Sequence, residues 1–234
     1  MLSLIIFIPL IAALGLLMVS RDNTAMIKVI GVGAAGASFS LSLWLLFSFD
    51  TTSSEMQFVQ MFHWVPALHI NYLVGVDGIS LWMVVLTAFL GLIAILFSFN
   101  QKDGFRNFMA LMLALEAGTL GVFLALDTIL FYVFWELMLV PTYFLIGVWG
   151  EGRRVYATMK FVIFTLVGSL LMLVAILSLT MIHYGATHDV TFDLRMLTHT
   201  HIDPATQIWM FFFFFLAFAI KVPVFPLHSW LPHA

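Results

Sequence analysis

The chain has no cysteine and very little charge. Charged residues make up 9% of its 234 positions, against 63% hydrophobic residues and a mean hydropathy of +1.10. Without cysteine, the chain has neither disulfides nor thiolate-held Fe–S clusters or zinc sites. So few charges cannot form the polar shell of a soluble globule. The composition therefore predicts an all-α integral membrane protein.

The charge that is present is thinly spread and has no strong sign. Nine basic and twelve acidic residues give a net charge of −3, which argues against a nucleic-acid partner. A haem would require two histidines facing each other inside apolar spans, and no such pair is expected here. Six of the eight histidines are predicted to lie in polar connections: His63, His69, His183, His188, His199 and His201. No redox centre is expected in this chain.

Seven apolar stretches are each about long enough to cross a hydrocarbon core of ~30 Å at ~1.5 Å per residue. The first has no basic residue ahead of it and is predicted to be a retained helix rather than a signal peptide. The connection 50–78 contains an alternating pattern that predicts a short interfacial hairpin. The connection 184–205 is polar and histidine-rich. The predicted spans are 3–19, 26–48, 79–99, 107–126, 128–149, 158–182 and 206–227.

Lysine and arginine are concentrated in the odd-numbered connections, which predicts that these face the cytoplasm. The even-numbered connections contain only Arg195. The amino terminus and the loop 50–78 are therefore predicted to lie outside. The basic residues of the odd connections are Arg21, Lys28, Lys102, Arg106, Arg153, Arg154 and Lys160.

Three ionisable residues lie well within the apolar spans: Glu116, Glu136 and Lys221. Intramembrane charges are costly, and they usually pair with one another or line a pathway. Glu136 is about eight residues, or ~12 Å, into its span, and Lys221 about fifteen into its own, so both approach the midplane. We expect Glu136 and Lys221 to interact. For Glu116, a helix–helix hydrogen bond is an equally good interpretation.

Prolines follow both charges of the predicted pair. Pro223 and Pro226 remove backbone donors and should leave the carbonyls of Ala219 and Val222 unpaired, so the last span is predicted to break at Lys221. Pro141 should likewise free a carbonyl one turn after Glu136. Irregular backbone at this depth is tolerated only inside protein or beside a wet cavity. The pattern favours an ion path over a lipid-facing anchor.

Proton handling is the chemistry that this pattern favours. Two charges ~10 Å apart at an effective dielectric near 20 interact by ~1.7 kcal/mol, so moving one charge changes the protonation of the other. His228 follows Lys221 by one heptad and could carry the proton onward. The alternatives are a structural ion pair of Glu136 with Lys221, and a His228 satisfied at the inner interface beside Trp230.

Several stretches give the chain a recognisable resemblance. It resembles the antiporter-like membrane subunits of respiratory complex I (NADH:quinone oxidoreductase), in particular the amino-terminal half of the subunit called M in bacteria and 4 in mitochondria. The second and fourth stretches are specific to this superfamily. The stretches are VGVDGISLWMVVLT (74–87), FYVFWELMLVPTYFLIGVWG (131–150), RRVYATMKFVIFTLVGSLLML (153–173) and FAIKVPVFPLHSWLPHA (218–234).

The resemblance implies a fold of fourteen helices built from two inverted five-helix repeats, each with one broken helix. Glu136 then matches the acid of the fifth helix, Lys221 the lysine of the broken seventh helix, and His228 the histidine that often follows it. Residues 1–106 would hold helices one to three, and residues 107–234 an incomplete first repeat. Because the family continues beyond the WLP motif, we expect this chain to be part of a longer protein.

The resemblance also implies partners and a location. A proton-translocating subunit of this kind has no cofactor of its own, and FMN, Fe–S clusters and quinone are expected in partner subunits. Other membrane subunits, including homologous antiporter-like ones, and lipid are the expected partners. The bacterial inner membrane is the predicted location, with the mitochondrial inner membrane as the alternative. Rival interpretations are a subunit of a multisubunit cation/proton antiporter or membrane-bound hydrogenase, and a structural membrane scaffold.

Overall fold

The computed structural model describes residues 1–233, in which the chain forms two compact units. The first contains Met1–Met61 and Leu73–Ala125, and the second contains Phe62–Tyr72 and the chain from Leu126 onward. The sequence-based division at residue 106 concerned repeat boundaries and stays a prediction.

The first unit is a bundle of four apolar helices. Helix α1 packs on α2 and α4, and α3 also packs on α2 and α4. The Asn23 side chain caps the start of α2, and Asp77 and Ser80 form a reciprocal capping box at the start of α3. The helices are α1 (Leu2–Met18), α2 (Thr24–Ser48), α3 (Gly78–Phe97) and α4 (Phe105–Leu124).

The connection after α2 contains the predicted hairpin. Strands β1 (Gln57–Val65) and β2 (Ile70–Val76) pair in a two-stranded sheet, joined by a 3₁₀ turn at Pro66–Leu68. His69 ends this turn in the left-handed conformation, with φ of 55°. The prediction of a hairpin is confirmed.

The second unit is built around the long helix α7 (Arg154–Thr187), which contacts the helices before and after it. Gly168 of α7 lies against α9, where an added Cβ would be 3.2 Å from the Cα atom of Ala217. The absence of a side chain at Gly168 thus allows close packing beside the end of α9. The other helices are α5 (Thr128–Leu137), α6 (Leu139–Trp149), α8 (Leu194–Leu197), α9 (Pro204–Lys221) and a 3₁₀ helix at Leu227–His233.

The helical segments agree with the predicted all-α membrane fold. Within residues 1–233, six segments are long and apolar enough to cross a membrane, counting α5 and α6 as one, and α1 is a shorter apolar helix.

Two of the predicted spans and the placement of two residues are corrected. The span 206–227 was predicted too long, because its helix ends at Lys221, whereas the span 158–182 was too short, because α7 continues to Thr187. His183 is consequently a buried residue of α7, bonded through Nδ1 to Thr200 Oγ1 at 2.7 Å, and not part of a polar connection. Lys160 likewise lies within α7 rather than in the connection before it.

Candidate functional site

Lys221 is the last residue of α9, as the prolines behind it predict. The N–H groups of Val222 and Val224 still bond back to the carbonyls of Phe218 and Ala219, both at 2.8 Å. The expectation that the Ala219 carbonyl is unpaired was therefore wrong, because the chain turns tightly enough for Val224 to reach it. The helix break at Lys221 itself is confirmed.

The 3₁₀ segment beyond the break is attached to both α9 and α7. The indole Nε1 of Trp230 donates a 2.8 Å hydrogen bond to the carbonyl of Ile220, and its ring packs on Phe161 with centroids 5.1 Å apart. The ammonium of Lys160 donates to the Ser229 carbonyl at 2.6 Å. These contacts fix the backbone on both sides of Lys221.

Glu136 also lies beside a helix interruption. Helix α5 ends at Leu137, one residue after the acid, and α6 starts at Leu139 with Pro141 in its first turn. The Oε1 atom of Glu136 is buried and has no hydrogen-bond partner within residues 1–233. Each charge of the predicted pair is thus next to irregular backbone.

The structure brings Glu136 and Lys221 together without a contact ion pair. The two side chains interact electrostatically, but no ion pair within 4.0 Å joins them in the described part of the chain. The Lys221 ammonium lies 5.2 Å from the ring centroid of Trp135, the residue before the acid. A cation over an indole face is stabilised without neutralisation of its charge.

Tyr132 completes this cluster one helical turn before Glu136. Its hydroxyl interacts with the Glu136 carboxyl and with Ser169 of α7. The ring of Trp135 meets Phe218 of α9 edge to face, with centroids 5.6 Å apart. Residues of three helices therefore surround the acid and the lysine.

His228 lies in the 3₁₀ segment, with its ring 5.6 Å from that of Phe225. Its Nδ1 is buried and has no hydrogen-bond partner among the described residues. No contact between His228 and Lys221 is found in the described part of the chain.

Glu116 is in the first unit, packed against Gly91 of α3. A Cβ at Gly91 would be 2.6 Å from Cδ of Glu116 and 2.9 Å from each carboxyl oxygen. Both oxygens are buried and have no hydrogen-bond partner among the described residues, so the alternative interpretation of Glu116, a helix–helix hydrogen bond, is not supported. Gly91 leaves space for the Glu116 carboxyl but has no side chain that could donate a hydrogen bond to it.

The start of α5 is held by Asp127, which is fully buried. Its Oδ1 accepts from the N–H groups of Ile129 and Leu130, and its Oδ2 from that of Asn71, all at 3.0 Å. Burial raises the pKa of the Asp127 carboxyl, against these hydrogen bonds, which lower it. Asp127 thereby ties the helix that carries Glu136 to the tip of the hairpin.

Sequence reasoning missed the structural parts of this site. Trp230 and Lys160 were assigned no contact, although a tryptophan shortly after two helix-breaking prolines is a natural donor to a freed carbonyl. An aspartate directly before the apolar run of α5 is an N-cap signal. The hydrogen bond that Asp127 accepts from the N–H of Asn71 could not have been predicted from a residue pattern, because Asn71 is distant in sequence.

Metal binding was not predicted for the chain. Among the described residues, no three His, Cys, Asp or Glu side chains are grouped so that they could hold a metal ion.

Comparison with known proteins gives a consistent class. Residues 125–234 match the family model described as NADH:quinone oxidoreductase/Mrp antiporter, TM. NADH-quinone oxidoreductase subunit M of Rhodobacter capsulatus is 40% identical over 248 residues, which covers 100% of this chain and 48% of the relative. NADH-ubiquinone oxidoreductase chain 4 of Arabidopsis thaliana is 39% identical over 235 residues, covering 100% and 46%. The chain thus spans about half the length of these relatives.

Solved structures agree with this class. A chain of respiratory complex I from Thermus thermophilus with bound NADH has a TM-score of 0.85 and 33% identity, with 99% of this chain and 46% of that chain covered. A chain of the Mrp complex from a Dietzia species has a TM-score of 0.81, over 99% of this chain and 25% of that one, at 22% identity, which shows a shared fold only.

The helical fold and the matches to known families define an antiporter-like, multi-pass membrane protein. Along its whole length, the chain is a homologue of subunit M and chain 4 of NADH-quinone oxidoreductase.

Proposed function

We propose that the chain is part of a proton-translocating membrane subunit of NADH:quinone oxidoreductase. The observation that carries the proposal is the arrangement of Glu136 and Lys221, which interact from two helix ends without forming a contact ion pair. FMN, Fe–S clusters and quinone belong to partner subunits, and this chain works beside homologous antiporter-like subunits in the bacterial inner membrane.

In this mechanism Lys221 is the loading site, and Glu136 controls its protonation. The carboxylate favours the protonated lysine when it is near and releases it when it moves away or is itself neutralised. The Trp135 face supports the ammonium without holding it as tightly as a contact ion pair would. The interrupted backbones of α5 and α9 supply polar groups that water in a protein-lined cavity can reach.

The remaining predicted residues extend this path. His228 carries the proton onward from Lys221 through a nitrogen that has no fixed partner. Glu116 acts as a separate buried proton-binding group in the first unit, where its carboxyl also lacks a partner. Tyr132 positions the Glu136 carboxyl.

The test is NADH-driven proton pumping by the complete complex, measured together with the abundance of the subunit in the membrane. Lys221→Ala should abolish pumping through this subunit. Glu136→Gln should be comparably severe, because the protonated lysine loses the charge that offsets its desolvation. Glu136→Asp keeps the charge on a shorter arm and should retain partial activity.

A purely structural pair predicts a different pattern. Removing either partner would then leave an uncompensated buried charge at a cost of ~3–5 kcal/mol, so the single variants would fail to assemble. The double variant Glu136→Gln with Lys221→Met would restore assembly. If that double variant assembles and pumps normally, the proton-path assignment of both residues is wrong.

A cation/proton antiporter or a membrane-bound hydrogenase subunit is the second candidate, because the matching family model includes Mrp antiporters as well as the oxidoreductase. Its site would use the same buried charges. Transport that is independent of sodium supports the oxidoreductase subunit, whereas a strict sodium requirement supports the antiporter.

A further inference from the structure

An apolar groove lies between the end of α6 and the start of α7. It has a volume of about 230 Å³ and runs along the last turns of α6 and the first turns of α7. Gly147 allows the two helices to approach closely here, because an added Cβ would be 3.3 Å from Oγ1 of the buried Thr158. The apolar side chains that line the groove are Tyr143, Phe144, Val148, Val155 and Met159.

These lining side chains lie at the surface of the second unit, where each is between 39% and 72% exposed. The groove is at one end of the candidate span Thr128–Trp149, and acyl chains meet headgroups at that depth. Its volume is below the ~300–1,000 Å³ of sites that enclose a drug-sized molecule. It suits part of one linear apolar chain.

Two arginines lie beside the groove. Arg153 comes directly before α7, and Arg154 is the first residue of that helix, next to Val155. Nη1 of Arg154 donates a 2.8 Å hydrogen bond to the carbonyl of Val148, so its guanidinium is held at a residue of the lining. The guanidinium has further N–H donors that this bond does not use. A cationic group is therefore fixed at the edge of an apolar groove.

The charge of these arginines is not cancelled by a contact ion pair. Glu151 is the acidic residue of the same connection, and within residues 1–233 no ion pair shorter than 4.0 Å joins it to Arg153 or Arg154. The first turn of α7 has no acidic residue. Both arginines are exposed, so they can approach a ligand at the membrane surface. Their charge lowers the free energy of an anion beside the groove.

We propose that this groove binds an anionic phospholipid. The phosphate is bound by Arg153 and Arg154, since arginine forms bidentate hydrogen bonds with phosphate oxygens. Part of one acyl chain lies along the apolar lining. Basic pockets between spanning helices on the cytoplasmic side suit lipid headgroups, and this connection is predicted to face the cytoplasm.

Charge complementarity distinguishes this occupant from others that an apolar groove could take. A neutral lipid or an apolar partner helix would fill the groove without using the arginines. A free phosphate ion would use the arginines without the groove. An anionic lipid uses both features, which the hydrogen bond between Arg154 and Val148 places side by side.

The first experiment titrates the purified full chain in neutral detergent with phosphatidylglycerol and follows bound lipid by native mass spectrometry. The variant Arg153→Gln with Arg154→Gln should bind this lipid about thirtyfold more weakly, the loss expected for two basic residues at an anionic membrane surface. The matched control Arg21→Gln with Lys102→Gln removes two charges from other connections and should change binding less than about threefold. Equal losses in both variants would show general surface attraction and overturn the proposal.

The second experiment fills the groove without changing its charge. Val155→Trp places a larger side chain in the lining and should weaken phosphatidylglycerol binding about tenfold, roughly the affinity that two buried methylene groups contribute. Val167→Trp is the control, because Val167 is also an exposed valine of α7 but does not line the groove. Equal binding by the two tryptophan variants would show that only the headgroup is bound, and would overturn the proposal.

Two further ligands test the other occupants. Phosphatidylcholine, which has no net charge, should bind at least about tenfold more weakly than phosphatidylglycerol. Inorganic phosphate at millimolar concentration should not displace the lipid. The proposal is overturned by equal binding of the two lipids, which indicates a neutral occupant, or by displacement with phosphate, which indicates a free-anion site. If neither lipid binds, the proposal is wrong and the groove is left to a partner helix.

Discussion

Trp230 hydrogen-bonds the backbone of Ile220, the residue immediately before Lys221. A side chain ten positions away thus satisfies a carbonyl at the broken end of α9. The bond is buried, so its loss would leave a polar atom without water to replace the donor. The position of the lysine depends on the WLP motif through this contact.

Replacing Trp230 by phenylalanine should therefore destabilise the protein. The aromatic contact with Phe161 is largely kept, but the Ile220 carbonyl loses its partner at a cost of roughly 1–3 kcal/mol. Thermal unfolding in detergent measures the effect. Trp209→Phe, in α9, is the control, because its ring packs on Phe213 and its indole has no such buried bond within residues 1–233. Equal unfolding temperatures for the two variants would contradict the capping role of Trp230.

Asp127→Asn should destabilise the second unit, whereas Asp203→Asn should not. An asparagine can replace either residue as a helix N-cap with nearly equal stability. Asp127 also accepts from Asn71 with its second oxygen, and an amide nitrogen in that place would leave this N–H unpaired, at roughly 1–3 kcal/mol. Chemical denaturation of the two variants measures the difference. A loss of similar size in both would mean that the hairpin contact contributes nothing.

The effect of Gly91→Ala on the free energy of unfolding should depend on the side chain at position 116. The added methyl group would overlap the Glu116 carboxyl, and overpacking of this kind costs roughly 1–3 kcal/mol. In a Glu116→Ala background the same substitution should be nearly neutral. Unfolding free energies of the two single variants and the double variant give the coupling, which should exceed about 0.5 kcal/mol. Additive effects would show that the carboxyl moves aside freely.

Single-cysteine labelling should give opposite results for loops on the two sides of the membrane. A cysteine at Gly152, beside Arg153 and Arg154, should react only with a reagent on the cytoplasmic side. A cysteine at Thr52, in the loop after α2, should react only from outside. The chain has no native cysteine to interfere. The reverse pattern would invert the whole topology.

Structural features could be predicted from the sequence where a single residue type has a strong physical effect of its own. Apolar runs located the helices, and the prolines after Lys221 located the end of α9, because proline cannot donate a backbone hydrogen bond. The partner of Lys221 was also predictable, since a buried cation requires a nearby acid.

Contacts between distant segments could not be predicted in this way. The pairing of Val224 with the Ala219 carbonyl depends on how tightly the chain turns after Lys221, which the positions of the prolines do not determine. The space that Gly91 leaves for Glu116 depends on the crossing of α3 and α4. The contact of Lys160 with Ser229 requires α7 to lie beside the broken segment.

Helix α7 has 34 residues, which makes it too long to lie entirely within the hydrocarbon core of a membrane. At ~1.5 Å per residue the helix is about 51 Å long, and even a tilt of about 40° leaves about 39 Å along the membrane normal. A hydrocarbon core of about 30 Å cannot contain it, so about two turns or more must project into the aqueous phase. The buried polar residues Thr180 and His183, which bond Thr191 and Thr200, are suited to such a projection. The end of α7 that extends beyond the hydrocarbon core is thus packed against protein through polar contacts.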